Sequence, residues 1–178
     1  EALQPVHYTV DDDYKKRKYD YSTAKQWALG QLVNGSYQLG LLLTPAFSHN
    51  GVFPELMFYD CHGCHHETDN IRWEPNTVTN DIIPGNSRLS DGSIIVARAI
   101  IQTLAPKEYD SYMVLLRDWH SQALVSKNKL VWSSLRLQTK LDDIGSLIEN
   151  QPVTPADAKV LIQKLVYYGG IGAFRDYM

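Results

Sequence analysis

Apolar residues recur at helical spacing in five separate segments, and this pattern constrains the fold of the chain most strongly. The segments cover residues 22–43, 91–104, 109–125, 129–148 and 154–170. Almost no stretch shows the alternation of apolar and polar residues that is typical of a strand. We therefore expect an all-α fold, a bundle of four to five helices. The clearest apolar stripe lies on the fourth segment and consists of Leu130, Leu137, Leu141, Ile144 and Ile148.

Residue types also mark the ends of several predicted helices. Ser22 or Thr23 fits the N-cap of the first helix, and Pro45 ends it. The last helix begins with a cap, a proline at its first position and an acidic third residue, in the order Thr154-Pro155-Ala156-Asp157. Its predicted buried residues are Ala158, Leu161, Ile162 and Leu165.

Three glycines interrupt the first helical segment, namely Gly30, Gly35 and Gly40. Each weakens a helix by roughly 1 kcal/mol relative to alanine. A glycine inside a helix usually allows the close approach of something bulky. A neighbouring helix is the preferred interpretation, and a flat cofactor is the alternative.

Length and composition indicate one globular domain over residues 1–178. The hydrophobic fraction of 44% and the charged fraction of 21% are ordinary. The formal net charge is -3, and the basic residues 15–18 follow the acidic residues 11–13, so that residues 1–20 form a polar, solvated N-terminal segment. These features argue against nucleic-acid binding. No apolar run reaches the roughly 18 residues of a membrane helix, so we expect no membrane span.

Residues 67–91 have the composition of a long irregular loop, rich in proline, glycine, asparagine, aspartate and serine. Loops of this length usually carry function or wrap over something. The loop follows directly on the stretch that carries the strongest chemical signal in the chain.

That stretch, YDCHGCHHETDN over residues 59–70, holds the only two cysteines, Cys61 and Cys64. With His65 they fit C-x-x-C-H, the attachment signature of c-type haem. Two thiols three residues apart on a tight turn can reach the two vinyl-derived carbons on one edge of the porphyrin. The imidazole of His65 then lies beneath the ring as the proximal iron ligand. We expect one covalently attached haem c.

Three other interpretations of the two cysteines remain open. A thioredoxin-like dithiol needs a βαβ context, which the sequence does not offer. A zinc site could use both cysteines and two histidines, but only His120 follows downstream, without the usual second ligand pair. A disulfide across C-x-x-C would close too small a loop to stabilise the chain much.

The sequence around the motif resembles the terminal helical domain of large multihaem c-type cytochromes. The resemblance covers roughly residues 7–75 and rests on WALGQLV, a proline-bearing loop with a histidine, and FPELMFYDCHGCHHE. This chain carries one haem motif, whereas those relatives carry several. The resemblance therefore implies either partner haems on another chain or a single-haem domain. It also makes His66 a candidate ligand of a second haem; the alternatives are a surface residue or a haem propionate contact.

The sixth iron ligand decides the chemistry of a c-type haem. His49, in a loop just upstream of the motif, is the first candidate, followed by His120 and then His7. A methionine or no protein ligand is a further alternative. We expect Met57 to be a packing residue. For His120 the alternative role is that of a hydrogen-bonded core residue.

We expect the chain to transfer single electrons to or from other redox proteins or haem-bearing chains. It has no catalytic carboxylate pair, nucleophile–base set or phosphate loop, which favours an electron carrier over an enzyme. One alternative is a five-coordinate haem that binds or reduces a small ligand such as nitric oxide. Another is a haem-bearing subunit of a larger redox complex, or an oligomer. Because the chain begins at Glu1, we expect a processed product or a fragment. Bacteria assemble covalent haem c outside the cytoplasm, so the expected location is the periplasm or outside the cell.

Overall fold

The computed structural model describes residues 11–17, 22–48, 53–59, 89–123, 125–171 and 173–174. Within these ranges there is no strand, and one isolated antiparallel bridge joins Tyr59 to Leu89. The predicted all-α class is confirmed. The described helices are α1 (Asp12–Arg17), α2 (Thr23–Leu43), α3 (Pro45–Ser48), α4 (Gly92–Leu104), α5 (Tyr109–Gln122), α6 (Lys127–Glu149) and α7 (Pro155–Gly170), with single 3-10 turns at Leu56–Phe58 and Pro106–Glu108.

The helix ends lie where local residue chemistry predicts them. The hydroxyl of Ser22 accepts a hydrogen bond from the backbone N–H of Lys25, 3.2 Å away, at the start of α2. At the start of α7 the hydroxyl of Thr154 accepts from the backbone N–H of Asp157, whose carboxylate accepts from the backbone N–H of Thr154. The backbone hydrogen bond from Thr154, and then its hydroxyl, hold the pKa of Asp157 below its ordinary value.

The core lies where the apolar stripe of α6 meets the neighbouring helices. Helix α2 packs against both α6 and α4, α5 packs against α6, and α7 packs mainly against α4. The five residues of the predicted stripe are completely buried, which confirms the orientation of α6. Burial of such side chains stabilises a fold by roughly 1.5–3 kcal/mol each.

Two of the glycines in α2 lie where another helix comes close. A Cβ added at Gly35 would lie 3.2 Å from Cδ1 of Leu141 in α6 and 3.5 Å from Cγ1 of Ile94 in α4. A Cβ at Gly40 would lie 2.9 Å from Nε2 of Gln138 in α6. The first of the three glycines has open space instead. The prediction that these glycines allow a neighbouring helix to approach closely is therefore confirmed for Gly35 and Gly40.

The prediction for α7 is correct only in part. Leu161 is buried, but Ile162, expected in the core, is 61% exposed. The reason is that α7 lies at the edge of the described structure and packs mainly on a single helix. Only a narrow stripe of its surface is therefore covered.

The N-terminal polar segment contains α1, whose described side chains are mostly exposed. A carboxylate oxygen of Asp11 accepts from the backbone N–H of Tyr14 at 2.7 Å. Arg17 pairs with Asp13 one turn earlier at 2.6 Å. These local contacts agree with a solvated helical turn.

Candidate functional site

The motif residues Cys61, Cys64 and His65 lie outside the described residues. The same holds for His66 and for most of the loop predicted over residues 67–91. The candidate sixth ligands His49 and His7 also lie outside them. The structure does describe the segment that leads into the motif, the segment that follows the loop, and His120.

The leading segment, residues 53–59, packs one side against the described helices. Leu56–Phe58 form a single 3-10 turn, and the ring of Phe58 meets the ring of Phe47 edge to face with centroids 5.7 Å apart. Tyr59 is half-buried, and this burial raises the pKa of its phenol. The last two residues of the segment are therefore held in place, close before Cys61.

The other side of this segment is exposed, contrary to expectation. Leu56 is 74% exposed and Met57 is 60% exposed. The prediction that Met57 is a packing residue is therefore wrong. Leu56, Met57 and Phe58 form one 3-10 turn. Successive side chains of such a turn point in different directions, so not all three can face the core.

The residues that flank segment 60–88 meet. Tyr59 forms an antiparallel bridge with Leu89, and the backbone N–H of Ser90 donates to the carbonyl of Phe58 at 2.8 Å. Leu89 is 1% exposed and belongs to the core. The residues just before the motif and the residues just after the predicted loop therefore lie side by side at the edge of the core.

A buried carboxylate–imidazole pair lies directly beyond this junction. Nε2 of His120 in α5 lies 2.8 Å from Oδ2 of Asp91, the residue before α4. Their side chains are 1% and 0% exposed. The imidazole also lies against the ring of Trp119, with centroids 4.8 Å apart.

The negative charge of Asp91 acts on the nearby phenol of Tyr112. The hydroxyl of Tyr112 donates to the backbone carbonyl of Ile94. Complete burial raises the pKa of Tyr112 well above its ordinary value, and the negative charge of Asp91 raises it further. Buried polar groups thus cluster at the N-terminal end of α4, next to the apolar core.

The surroundings of His120 bear on its two predicted roles. Its Nε2 is engaged by Asp91, as in the hydrogen-bonded core role. Its Nδ1 is buried and has no hydrogen-bond partner among the described residues. Nδ1 is thus the ring nitrogen left for coordination in this arrangement.

Asp91 and Arg98 are functional candidates that sequence reasoning missed. In the sequence, position 91 only marks the start of a helical segment. Arg98 is the one charged residue in the apolar sequence GSIIVARAIIQTL of α4, and this isolation could have indicated a special role. Asp91 meets His120 in α5, and Arg98 meets Tyr109 in α5 and Tyr168 in α7, so neither pairing follows from helical spacing.

The described part of the chain contains no group of three or more His, Cys, Asp or Glu side chains placed to hold a metal ion. None of its helices combines the length and apolar content that a membrane crossing requires. Comparison with known protein families, curated proteins and solved structures finds no match.

Proposed function

We propose that this chain is a single-haem c-type cytochrome that transfers electrons one at a time. The observation that supports the proposal is the motif Cys61-His62-Gly63-Cys64-His65, which holds the only two cysteines of the chain. The donor set fits haem c because two thiols can form thioether bonds and a neutral imidazole is a good iron ligand.

Each residue of the motif has a distinct role in this proposal. Cys61 and Cys64 hold the porphyrin covalently, and His65 is the proximal iron ligand. His66 contacts a propionate or a second haem on a partner. The bound group supplies a one-electron iron couple, and the protein sets its potential through ligands, burial and hydrogen bonds.

The described structure contains the residues on either side of segment 60–88. A bridge joins Tyr59 to Leu89, and the buried pair of Asp91 and His120 follows directly after it. The chain is therefore anchored to the helical core immediately before and after the segment that carries the motif.

The sixth ligand remains part of the proposal. His49 is the first candidate, and His120 could serve only through Nδ1 unless its contact with Asp91 breaks. His7 follows, and a methionine or an open position is the remaining alternative. We place the protein in the periplasm or outside the cell, since bacteria attach haem c outside the cytoplasm. Its partners are other redox proteins or haem-bearing chains.

The test is covalent haem on the denatured chain, after expression in a host that matures c-type cytochromes. The wild-type band should stain for haem on a denaturing gel, and Cys61→Ser/Cys64→Ser should not. His62→Ala is the matched control because it changes a variable position of the motif and should retain the stain. An unstained wild-type band would overturn the proposal, and metal analysis for zinc would follow.

The visible spectrum separates electron transfer from ligand binding. A reduced low-spin spectrum that is unchanged by carbon monoxide supports a six-coordinate electron carrier. His49→Ala and His120→Ala then identify the sixth ligand, as the variant that becomes high-spin. A high-spin wild-type spectrum that shifts with carbon monoxide would instead support the five-coordinate alternative.

A further inference from the structure

A groove of about 620 Å³ lies between α4 and α7, and its polar lining includes two basic side chains. Arg98 and Lys164 supply two positive charges, and Gln102 and Gln163 supply side-chain amides. None of the described residues that line the groove is acidic. The groove therefore has the electrostatics of an anion site.

Arg98 is held in place, and no described acidic side chain forms an ion pair with it. Its Nε donates to the hydroxyl of Tyr109 at 2.9 Å, and its guanidinium lies 4.5 Å from the ring centroid of Tyr168. Its Nη1 is buried and has no hydrogen-bond partner among the described residues. A partly desolvated positive charge without a counter-charge is unfavourable, and an anion from outside would offset that cost.

The neighbouring polar groups do not provide the missing negative charge. Burial raises the pKa of Tyr168 to about 12, so its phenol is neutral at neutral pH. The phenol donates to Oε1 of Gln102, which also accepts from Nζ of Lys164 at 3.2 Å. The carbonyl of Gln102 is therefore occupied, and its amide NH₂ is the part that can donate to a ligand.

The remaining wall of the groove is apolar. Val160, Ile171 and the ring of Tyr167 line it, and Tyr167 is 61% exposed. An ion without an apolar part would leave this surface uncovered. A ligand with a charged end and an apolar body matches both halves of the groove.

We propose that this groove binds a small organic carboxylate. Its carboxylate pairs with the positive charges of Arg98 and Lys164, because charge-assisted hydrogen bonds to a carboxylate are stronger than neutral ones. Its apolar body packs against Val160 and Ile171. The site involves no residue of the haem motif, so it stands independently of the proposed electron transfer.

The test is calorimetric titration of the full chain with benzoate, whose ring and carboxylate represent this class of ligand. We expect saturable binding with a Kd of about 1 mM, weakened by added salt. Benzamide, the neutral analogue, should bind at least about tenfold more weakly, which corresponds to the loss of a charge-assisted contact.

Variants locate the binding in the groove. Lys164→Gln should weaken benzoate binding about three- to tenfold, and Arg98→Lys should weaken it because an ammonium cannot reproduce the position of the guanidinium held by Tyr109 and Tyr168. Lys159→Gln is the matched control, since this exposed lysine lies on the same helix outside the groove. If Arg98→Lys fails to fold, the benzoate affinity of Lys164→Gln tests the proposal alone. Absence of saturable benzoate binding, equal binding of benzamide, or an equal loss in Lys159→Gln would overturn the proposal.

Discussion

The carboxylate of Asp91 and the imidazole of His120 meet at 2.8 Å in a place that water does not reach. Removal of one partner leaves the other buried and unpaired, which usually costs more than the intact contact contributes. Removal of both partners together avoids that penalty. The two residues should therefore be strongly coupled in stability.

A double-mutant cycle tests this coupling at the residue scale. Asp91→Ala and His120→Leu should each lower the free energy of unfolding by about 1–3 kcal/mol. The double variant should lose at least about 1 kcal/mol less than the sum of the two. Urea denaturation followed by circular dichroism gives all four values. The solvent-accessible pair of exposed Arg136 and half-buried Asp118, 3.5 Å apart, is the control, and its coupling should not exceed about 1 kcal/mol. Additive losses for the buried pair would contradict the prediction.

At the scale of elements, one lysine in α2 completes the end of another helix. Lys25 is buried, and its Nζ donates to the carbonyls of Glu149 at 2.5 Å and Gln151 at 2.8 Å. Helix α6 ends at Glu149, where carbonyls lack partners within the helix and a positive charge is favourable. Two helices that are far apart in the chain are thus joined by one side chain.

Loss of this lysine should destabilise the protein. Lys25→Met keeps the apolar stem and removes both hydrogen bonds, which we expect to lower the free energy of unfolding by about 1–3 kcal/mol. Lys129→Met is the matched control, because Lys129 is exposed in α6 and should change stability by less than about 0.5 kcal/mol. Both values come from urea titrations. Equal effects of the two substitutions would show that the contact to the end of α6 contributes nothing.

At the scale of the whole molecule, the described core joins helices from both sides of segment 60–88. Helix α2 precedes this segment, and α4, α5 and α6 follow it. Their buried residues form a single cluster. We therefore expect the helical core to fold without covalent attachment of a cofactor.

The variant Cys61→Ser/Cys64→Ser tests this expectation. Its far-ultraviolet circular dichroism should match that of the wild-type chain, and it should unfold cooperatively in urea. Leu141→Ala truncates a completely buried side chain. Added to the double serine variant, it should lower the free energy of unfolding by about 2–5 kcal/mol. Such a loss would show that the measured transition is the unfolding of this core. A broad, non-cooperative transition in the double serine variant would mean that the fold requires the attached group.

Helix positions and caps follow from the sequence because they depend on residues only a few positions apart. The apolar stripe of α6 and the cap formed by Thr154 and Asp157 were predictable for this reason. The motif from Cys61 to His65 is equally local, which is why the sequence alone suffices to predict a covalent haem.

Contacts between residues far apart in the chain were decided only by the tertiary structure. Asp91 meets His120 across 29 positions, and Lys25 reaches the carbonyl of Glu149 across 124. The exposure of Ile162 likewise depends on how few helices surround α7. Periodicity tells which side of a helix is apolar, but packing of one helix against another selects which polar groups meet and which apolar faces stay exposed.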